Sequence, residues 1–473
     1  MNNKSKPRPS LSRRHFLRTA AVTTAAFSLV PRHVLGGPRF VPPSEKVNIA
    51  LVGAGGQGRT NARSLFQQED AQIIAIADPA EYWELKRFYY GGVGGRKPVK
   101  EEIEKHYAQK TPNFKCAEYE DFRVMLEKEK AIDAILCATP DHLHAYVSIL
   151  AMKMGKHVYC EKPLTHNIWE ARMMAKVARE TGVATQMGNQ GHSDEGIRST
   201  CEWIWDGAIG EIREVCAWTG AGKWMKESGR PSSQDPVPKG LNWDLWLGPR
   251  EPRPYHNSYA PVSWRSYWDF GTAAIGDMAC HNLDPAFMAL DLAVPASVEG
   301  TAFGLDEYTC YECGMFTYKY PARGQFPPLV VRWFDGGLYP PRPDELEEGE
   351  QMGANNNGIY FVGTKGVIIC PGWAGNPRIW PDSLMQAYKR PPKKIKRVKG
   401  HHRDWLDACK GGEPASANFE YGAKLTEVVL LGTVALRTRK KIYWDAANMK
   451  ATNAPEADRF LKGTYRKGWE LPV

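Results

Sequence analysis

Three stretches of this chain carry residues that could do chemistry together. The first is Gly53-Ala-Gly55-Gly-Gln57-Gly58, a G-x-G-x-x-G turn behind an apolar run and ahead of a helical pattern. Such a turn lets backbone approach a pyrophosphate and aims a helix N-terminus at its charge. Asp78 follows Gly58 by 20 residues, where a carboxylate can accept from ribose hydroxyls and would repel a 2′-phosphate. No arginine follows at once in Asp78-Pro-Ala-Glu-Tyr-Trp83, which favours NAD over NADP. The second stretch pairs "ATPDHLH" (138–144) with "YCEKPLT" (159–165), presenting Thr139, Pro140, His144, Glu161 and Lys162 just past two apolar runs. The third is "GTAAIGDMACHNLDPAF" (271–287), where Asp277 and His281 stand four apart on an otherwise small or apolar helix. That spacing puts both on one face. On spacing alone a satisfied structural Asp–His pair explains them as well as a catalytic one.

The elements that must position these residues are visible as patterns. Apolar runs at 46–52, 73–77, 132–138, 157–160 and 184–187 read as buried strands, and 59–68, 142–154 and 167–181 read as helices. Strands alternating with helices at this spacing predict an α/β, doubly wound parallel sheet. A polar excursion at 81–110, containing "YYGGVGG", reads as an inserted loop and helix. Past residue 188 the strands at 212–218, 297–303, 309–318, 329–334, 359–362 and 367–370 are separated by long irregular connections. They predict an α+β domain on a large, mostly antiparallel open sheet. The Rossmann domain is expected at 46–165 and the substrate-binding domain at 166–473. The Pro-, Gly- and Trp-rich stretch 224–264 reads as a pocket-shaping loop. The basic run 389–403, "KRPPKKIKRVKGHHR", reads as a solvated connection.

Taken together, these motifs resemble the Gfo/Idh/MocA family, the glucose–fructose oxidoreductase and inositol dehydrogenase group. The resemblance covers essentially all of the chain past residue 36. It rests on the glycine turn, Thr139-Pro140 with His144, Glu161-Lys162-Pro163 and the Asp277/His281 helix. It implies that Lys162 lies between nicotinamide and substrate, and that Asp277 and His281 are the acid and the general base. Gly53, Gly55, Gln57, Gly58, Asp78, Thr139, Pro140, His144, Glu161 and Lys162 are then the cofactor contacts. The implied reaction is oxidation of a secondary hydroxyl of a sugar, glycoside or polyol, with Asp277 orienting the imidazole or binding a neighbouring hydroxyl. Trp224, Trp264 and Tyr267 could stack on a pyranose, with Arg265, Gln190 and His192 as polar contacts. Two positions depart from the pattern: Ala279 replaces a frequent glycine, and Pro285 should kink or end the helix just past the site. Two alternatives stay open, a glycoside-cleaving enzyme that oxidises its substrate transiently and a non-catalytic sugar-binding protein.

Charge and cysteine usage bear on where such an enzyme works. Residues 1–36 hold seven Lys/Arg and no acid, with Arg13-Arg14 ahead of Phe16-Leu17 and a short apolar run. This layout resembles a twin-arginine export signal and predicts periplasmic residence through that machinery. Its removal takes the net charge from +9 to about +2, so no nucleic-acid partner is expected. No stable membrane span is expected either, since the apolar run is too short. The segment 37–45, "GPRFVPPSE", resembles a proline-containing arm that covers the nucleotide in glucose–fructose oxidoreductase, and implies cofactor loaded before export and held tightly. Ten cysteines sit mostly in apolar strand-like contexts, and Cys310-x-x-Cys313 lacks a second pair at zinc spacing, so no metal is expected. A homo-oligomer is expected.

Overall fold

Six apolar runs form a parallel sheet: β1 (Val47–Val52), β2 (Ala71–Ala77), β3 (Ala117–Tyr119), β4 (Ala134–Cys137), β5 (His157–Glu161) and β6 (Thr185–Gly188). The computed structural model describes residues 42, 45–225, 228–373 and 375–473. The expected export signal at 1–36 lies outside the described residues, as does the 37–45 arm apart from Pro42 and Glu45. Strand order is β3-β2-β1-β4-β5-β6, and every pairing is parallel. This is the doubly wound arrangement, in which the reversal beside β1 opens a crevice at the carboxyl ends of the strands. Ile49, Leu51, Ile135 and Leu136 are fully buried, as strands covered by helices on both faces must be.

The expected boundary at residue 165 falls inside this sheet. A parallel edge strand needs a crossover helix to reach it, and Ile168–Thr181 is that helix, joining β5 to β6. Asn167 caps it, its side chain accepting from the Glu170 N–H at 3.0 Å. The 81–110 insert folds as a short ribbon, Trp83–Glu84 against Val93–Gly94, followed by the helix Arg96–Ala108.

The second sheet has nine strands: β7 (Ile212–Thr219), β8 (Ser297–Phe303), β9 (Cys313–Tyr320), β10 (Leu329–Asp335), β11 (Asn357–Gly363), β12 (Val367–Pro371), β13 (Arg378–Trp380), β14 (Ile442–Asp445) and β15 (Lys450–Ala451). Its order is β13-β12-β11-β7-β10-β9-β8-β14-β15, antiparallel except where β7 meets β10. The strand expected from residue 309 begins at Cys313, because the Cys310 N–H is drawn to the Ser266 carbonyl at 2.8 Å. The helix Phe419–Thr438 packs on β8 and the helix Ala273–Asn282 packs on β7. On the other face Phe303, Met315 and Tyr443 are exposed.

The basic run at 389–403 is docked rather than free. Arg397 pairs with both Glu195 and Glu202, Arg403 with Asp70, and Lys396 with Glu413. His401 is buried and meets the Met187 carbonyl at 2.7 Å. Its acidic partners lie up to hundreds of residues away, so local composition reads it as solvated.

Candidate active site

A cavity of about 470 Å³ opens at the carboxyl ends of β1, β4 and β5 and is closed from the far side by the second domain. Three glycines shape its floor. Gly53 has φ +90°, and a Cβ there would lie 2.6 Å from the Ala138 carbonyl oxygen. At Gly58 a Cβ would stand 2.0 Å from the Gly53 oxygen, so this glycine lets the helix Gly56–Leu65 seat on the turn. Gly55 faces open space, leaving its backbone approachable from the cleft. One glycine makes the turn, one admits a ligand and one packs the helix, which is the fit a dinucleotide requires.

Asp78 is 5% exposed and lines the same cleft. Its carboxylate accepts from the Ala54 N–H at 2.6 Å and the Ala80 N–H at 2.8 Å. Burial raises its pKa to about 6, with the backbone donors acting against that. Arg96 lies beside it, bonding the Asp78 carbonyl at 3.1 Å, but its guanidinium is tied to Glu118 and Glu81. Nothing local to Asp78 marks this arginine, which lies 18 residues further on.

Glu161 works as a hub within the cleft wall. It is 4% exposed and accepts from Asn61 at 2.8 Å, Gln190 at 3.0 Å and Gln57 at 3.3 Å. Gln190 also donates to the Tyr159 hydroxyl at 3.0 Å, so its amide nitrogen is held by the wall although the residue lines the cavity. His144 bridges two loops, with Nδ1 2.8 Å from the Pro163 carbonyl and Nε2 2.9 Å from the Thr139 carbonyl. Thr139 and Pro140 line the cleft just ahead of the helix Asp141–Lys153.

The helix that carries Asp277 and His281 begins after Thr272, whose hydroxyl donates to Asp141 at 2.8 Å. It ends at Asn282, and Pro285 opens the next helix, Asp284–Leu290, as the proline requires. Asp277 and His281 share its cleft-facing side. The Lys162 ammonium donates to the Asp277 carboxylate at 2.8 Å and to its backbone carbonyl at 2.7 Å. Arg265 donates to the same carboxylate oxygen at 3.2 Å. Burial works against the Asp277 carboxylate, yet Lys162 and Arg265 hold it well below the usual carboxylate range. Burial likewise disfavours the Lys162 ammonium, but Asp277 outweighs this and its pKa is raised.

Asp277 is therefore the anchor of two cations, and no hydrogen bond joins it to His281. The expectation that it orients the imidazole gives way, because the cations are the stronger partners for a buried carboxylate. His281 is 6% exposed with its Nδ1 unpartnered. Burial first, and the Lys162 ammonium second, push its pKa well below the ordinary imidazole value. The ring is neutral at pH 7 and able to take a proton.

Several expected substrate contacts lie elsewhere. His192 is 2% exposed and bonds Asp284 at 3.0 Å, in a buried network with Asn189 and Tyr421 behind the cleft. Asp284, one turn beyond His281, turns to that network and away from the polar face of the helix. Tyr267 is buried and meets Ser258 at 2.6 Å. Trp264 does line the cavity, but it is 6% exposed and its ring supports Arg265, whose guanidinium carbon sits 4.3 Å from the ring centre. Trp224 also lines the cavity. The walls that motif reading missed are Tyr89 and Tyr90 from the 81–110 insert, Asn355 and Asn356 from a left-handed turn, and Trp373. Trp373 has φ +55° and stands edge-on to His281, ring centres 5.9 Å apart. A bulky residue in that conformation is an outlier of the kind that collects at binding sites. The "YYGG" and "NNN" runs were the available signals.

Comparison with known proteins follows the same lines. Residues 47–189 match a family model described as the oxidoreductase family, NAD-binding Rossmann fold, and residues 211–324 match the model for its C-terminal alpha/beta domain. The chain is 27% identical over 166 residues to the 2,7-anhydro-N-acetylneuraminate hydratase of Mediterraneibacter gnavus, covering 35% of this chain and 37% of that protein. It is 24% identical over 244 residues to the levoglucosan dehydrogenase of Pseudarthrobacter phenanthrenivorans, covering 51% and 50% respectively. The chain thus spans between about a third and a half of the length of these curated relatives. The fold is similar to the WlbA dehydrogenase of Bordetella pertussis, crystallised with NADH and UDP-GlcNAcA, at TM-score 0.56 and 16% identity over 85% of this chain and 99% of that one. With the two matched stretches covering over half its residues, and with an NAD-binding Rossmann domain joined to a mostly antiparallel partner, this chain belongs to the Gfo/Idh/MocA oxidoreductase family.

Proposed function

We propose that the protein is an NAD-dependent oxidoreductase acting on a secondary hydroxyl of a sugar, glycoside or polyol. Bound NAD supplies the hydride acceptor. The glycine turn would hold its pyrophosphate and Asp78 the adjoining ribose, with NAD favoured over NADP by that buried carboxylate. Lys162 donates a hydrogen bond to the reacting hydroxyl oxygen and stabilises the charge that develops there. His281 takes the hydroxyl proton as general base. Asp277 fixes the Lys162 ammonium and Arg265 in turn holds the Asp277 carboxylate, so that Lys162 is paired before an uncharged polyol enters. Trp373, Tyr89 and Tyr90 supply apolar faces against which a sugar ring can lie. The observation that carries this reading is the Lys162–Asp277 contact, which joins the end of β5 to the catalytic helix across 115 residues of sequence.

A redox-neutral cycle is the second reading. It is favoured by the relative named as a hydratase, a name for adding or removing water and not for net oxidation. It also follows from the proposed export by the twin-arginine route, signalled by Arg13-Arg14. A periplasmic enzyme of this kind would carry its NAD from the cytoplasm and regenerate it in place. Self-association would use the sheet face that exposes Phe303, Met315 and Tyr443.

The deciding experiment is mass spectrometry of nucleotide released from the purified, denatured protein. Candidate sugars are then added to the native protein while reduced nicotinamide absorbance is followed. Co-purified NAD that a sugar reduces is the expected result. Protein that neither carries nor takes up NAD, and reduces none with a broad polyol panel, overturns the proposal. Loss of NAD within seconds on gel filtration overturns only its retention.

A further inference from the structure

Beside Gly271 and Thr272, just ahead of the helix that carries Asp277 and His281, lies a second, smaller cavity of about 140 Å³. It is lined by Arg250, Arg437 and Arg459, with His166, Asn167 and Thr272 among its other walls. Arg250 is 7% exposed, and its Nε makes no hydrogen bond. Its Nη2 donates to His166 Nδ1 at 3.0 Å, which fixes the hydrogen of that ring on Nε2. His166 Nε2 and Asn167 Nδ2 are also buried without partners. All three orphan atoms are donors, and the cavity holds no orphan side-chain acceptor among the described residues.

The charge is equally one-sided. Arg437 forms no ion pair or hydrogen bond among the described residues; its guanidinium carbon lies 4.2 Å from the Phe460 ring centre and 5.0 Å from that of Trp268. Arg459 lies over the other side of the mouth, 4.5 Å from Phe460. Burial first, and then Arg459 and Arg250, lower the Arg437 pKa to about 10, against the pull of Asp269. Asp269 is the only acid lining the cavity, and Arg253 holds it at 2.6 Å. The nearby Glu170 accepts from the Tyr465 hydroxyl at 2.7 Å and the His166 N–H at 3.1 Å, and its charge acts on Arg250 from outside the cavity lining, leaving Arg437 and Arg459 as the cations that face the cavity without an ion pair among the described residues. Asp306 and Glu307 stand further out, with Arg439, around a vestibule that shares Arg437 and Arg459.

Buried cations and donors without acceptors are costly unless a ligand completes them. Fork-shaped guanidinium groups suit a compact oxyanion. We infer that this cavity is a binding site for a single sulfate or phosphate group, free or borne as a monoester, seated on Arg250 and clasped by Arg437 and Arg459. It is separate from the substrate cleft but touches its frame, since Thr272 lines the cavity while its hydroxyl bonds Asp141 of the cleft.

The test uses the full purified chain with inorganic sulfate, inorganic phosphate and glucose 6-sulfate as probes. Each is titrated at ionic strength matched with sodium chloride, and melting temperature and heat of binding are read. The site predicts a saturable rise in melting temperature with sulfate and phosphate that chloride does not reproduce. Arg437→Gln should weaken that binding at least tenfold, and the exposed Arg459→Gln several-fold. Glucose 6-sulfate binding more tightly than sulfate identifies an ester as the ligand, and weaker binding identifies the free ion. A melting temperature that follows ionic strength alone, or sulfate binding unchanged in Arg459→Gln and Arg437→Gln, overturns the inference.

Discussion

Two clusters of cations lie near the helix Ala273–Asn282, one at its cleft face and one by its N-terminal end, and they are balanced in different ways. In the front cleft Lys162 and Arg265 converge on one carboxylate, Asp277, which bonds both. In the rear cavity Arg250, Arg437 and Arg459 make no ion pair among the described residues: Asp269 is held by Arg253, and Glu170 acts on Arg250 without bonding it. The front pair and Arg250 are closed in while Arg437 is half-buried and Arg459 exposed, and the two clusters also differ in what each is prepared to receive. A compensated pair presents a directional donor to an uncharged hydroxyl without trapping anions. An uncompensated group is completed only when a negative charge arrives.

The sharpest way to break the front arrangement is to remove its donor. In Lys162→Met, single-turnover reduction of bound NAD by substrate should fall by about 10³-fold, the upper range for losing one charge-stabilising donor. Nucleotide content, read by mass spectrometry, should be unchanged. Near-normal turnover would take Lys162 out of the reaction.

Next in size is the base. His281→Gln should lower kcat by about 10²-fold, the lower range for a general base. The wild-type pH profile sharpens the point. Because burial and Lys162 depress the His281 pKa, kcat/KM should stay level from neutrality down through 6.5 and fall only at more acidic pH, where protonation removes the base. The glutamine variant should lack that acid limb. A wild-type profile that already falls at pH 7 would mean that the imidazole is not so depressed.

The smallest effect tests the comparison itself. Asp277→Asn leaves Lys162 and Arg265 without their carboxylate, and so gives the front cleft the character of the rear one. Sulfate should then become a competitive inhibitor, with an inhibition constant about tenfold lower than in the wild type, read from initial rates at constant ionic strength. Equal sulfate inhibition in both proteins would show that charge compensation does not separate the two regions.

How far the sequence could reach followed the range of each interaction. The glycine turn was legible because all three glycines act within six residues, on each other and on the next strand end. The shared face of Asp277 and His281 was legible because one helical turn fixes it. Gln190 and His192 sit beside the cleft in sequence, yet Glu161 and Asp284 claim them from 29 and 92 residues away. Nothing local marks that claim. The same reason hid the docking of the basic run on Glu195 and Glu202. It also hid the cleft walls built by Tyr90, Asn356 and Trp373, which reach the site only through tertiary folding.

The bridge made by His144 has a mechanical consequence. One ring fastens the loop after β4 to the loop after β5, through the Thr139 and Pro163 carbonyls. Those loops carry the cofactor-side wall and Lys162, so a displacement of one bears on the other through a single ring. Through Lys162, which bonds Asp277, the same coupled pair of loops is tied to the helix of the second domain. Thr272, donating to Asp141 at 2.8 Å, adds a second tie between the two sides of the cleft.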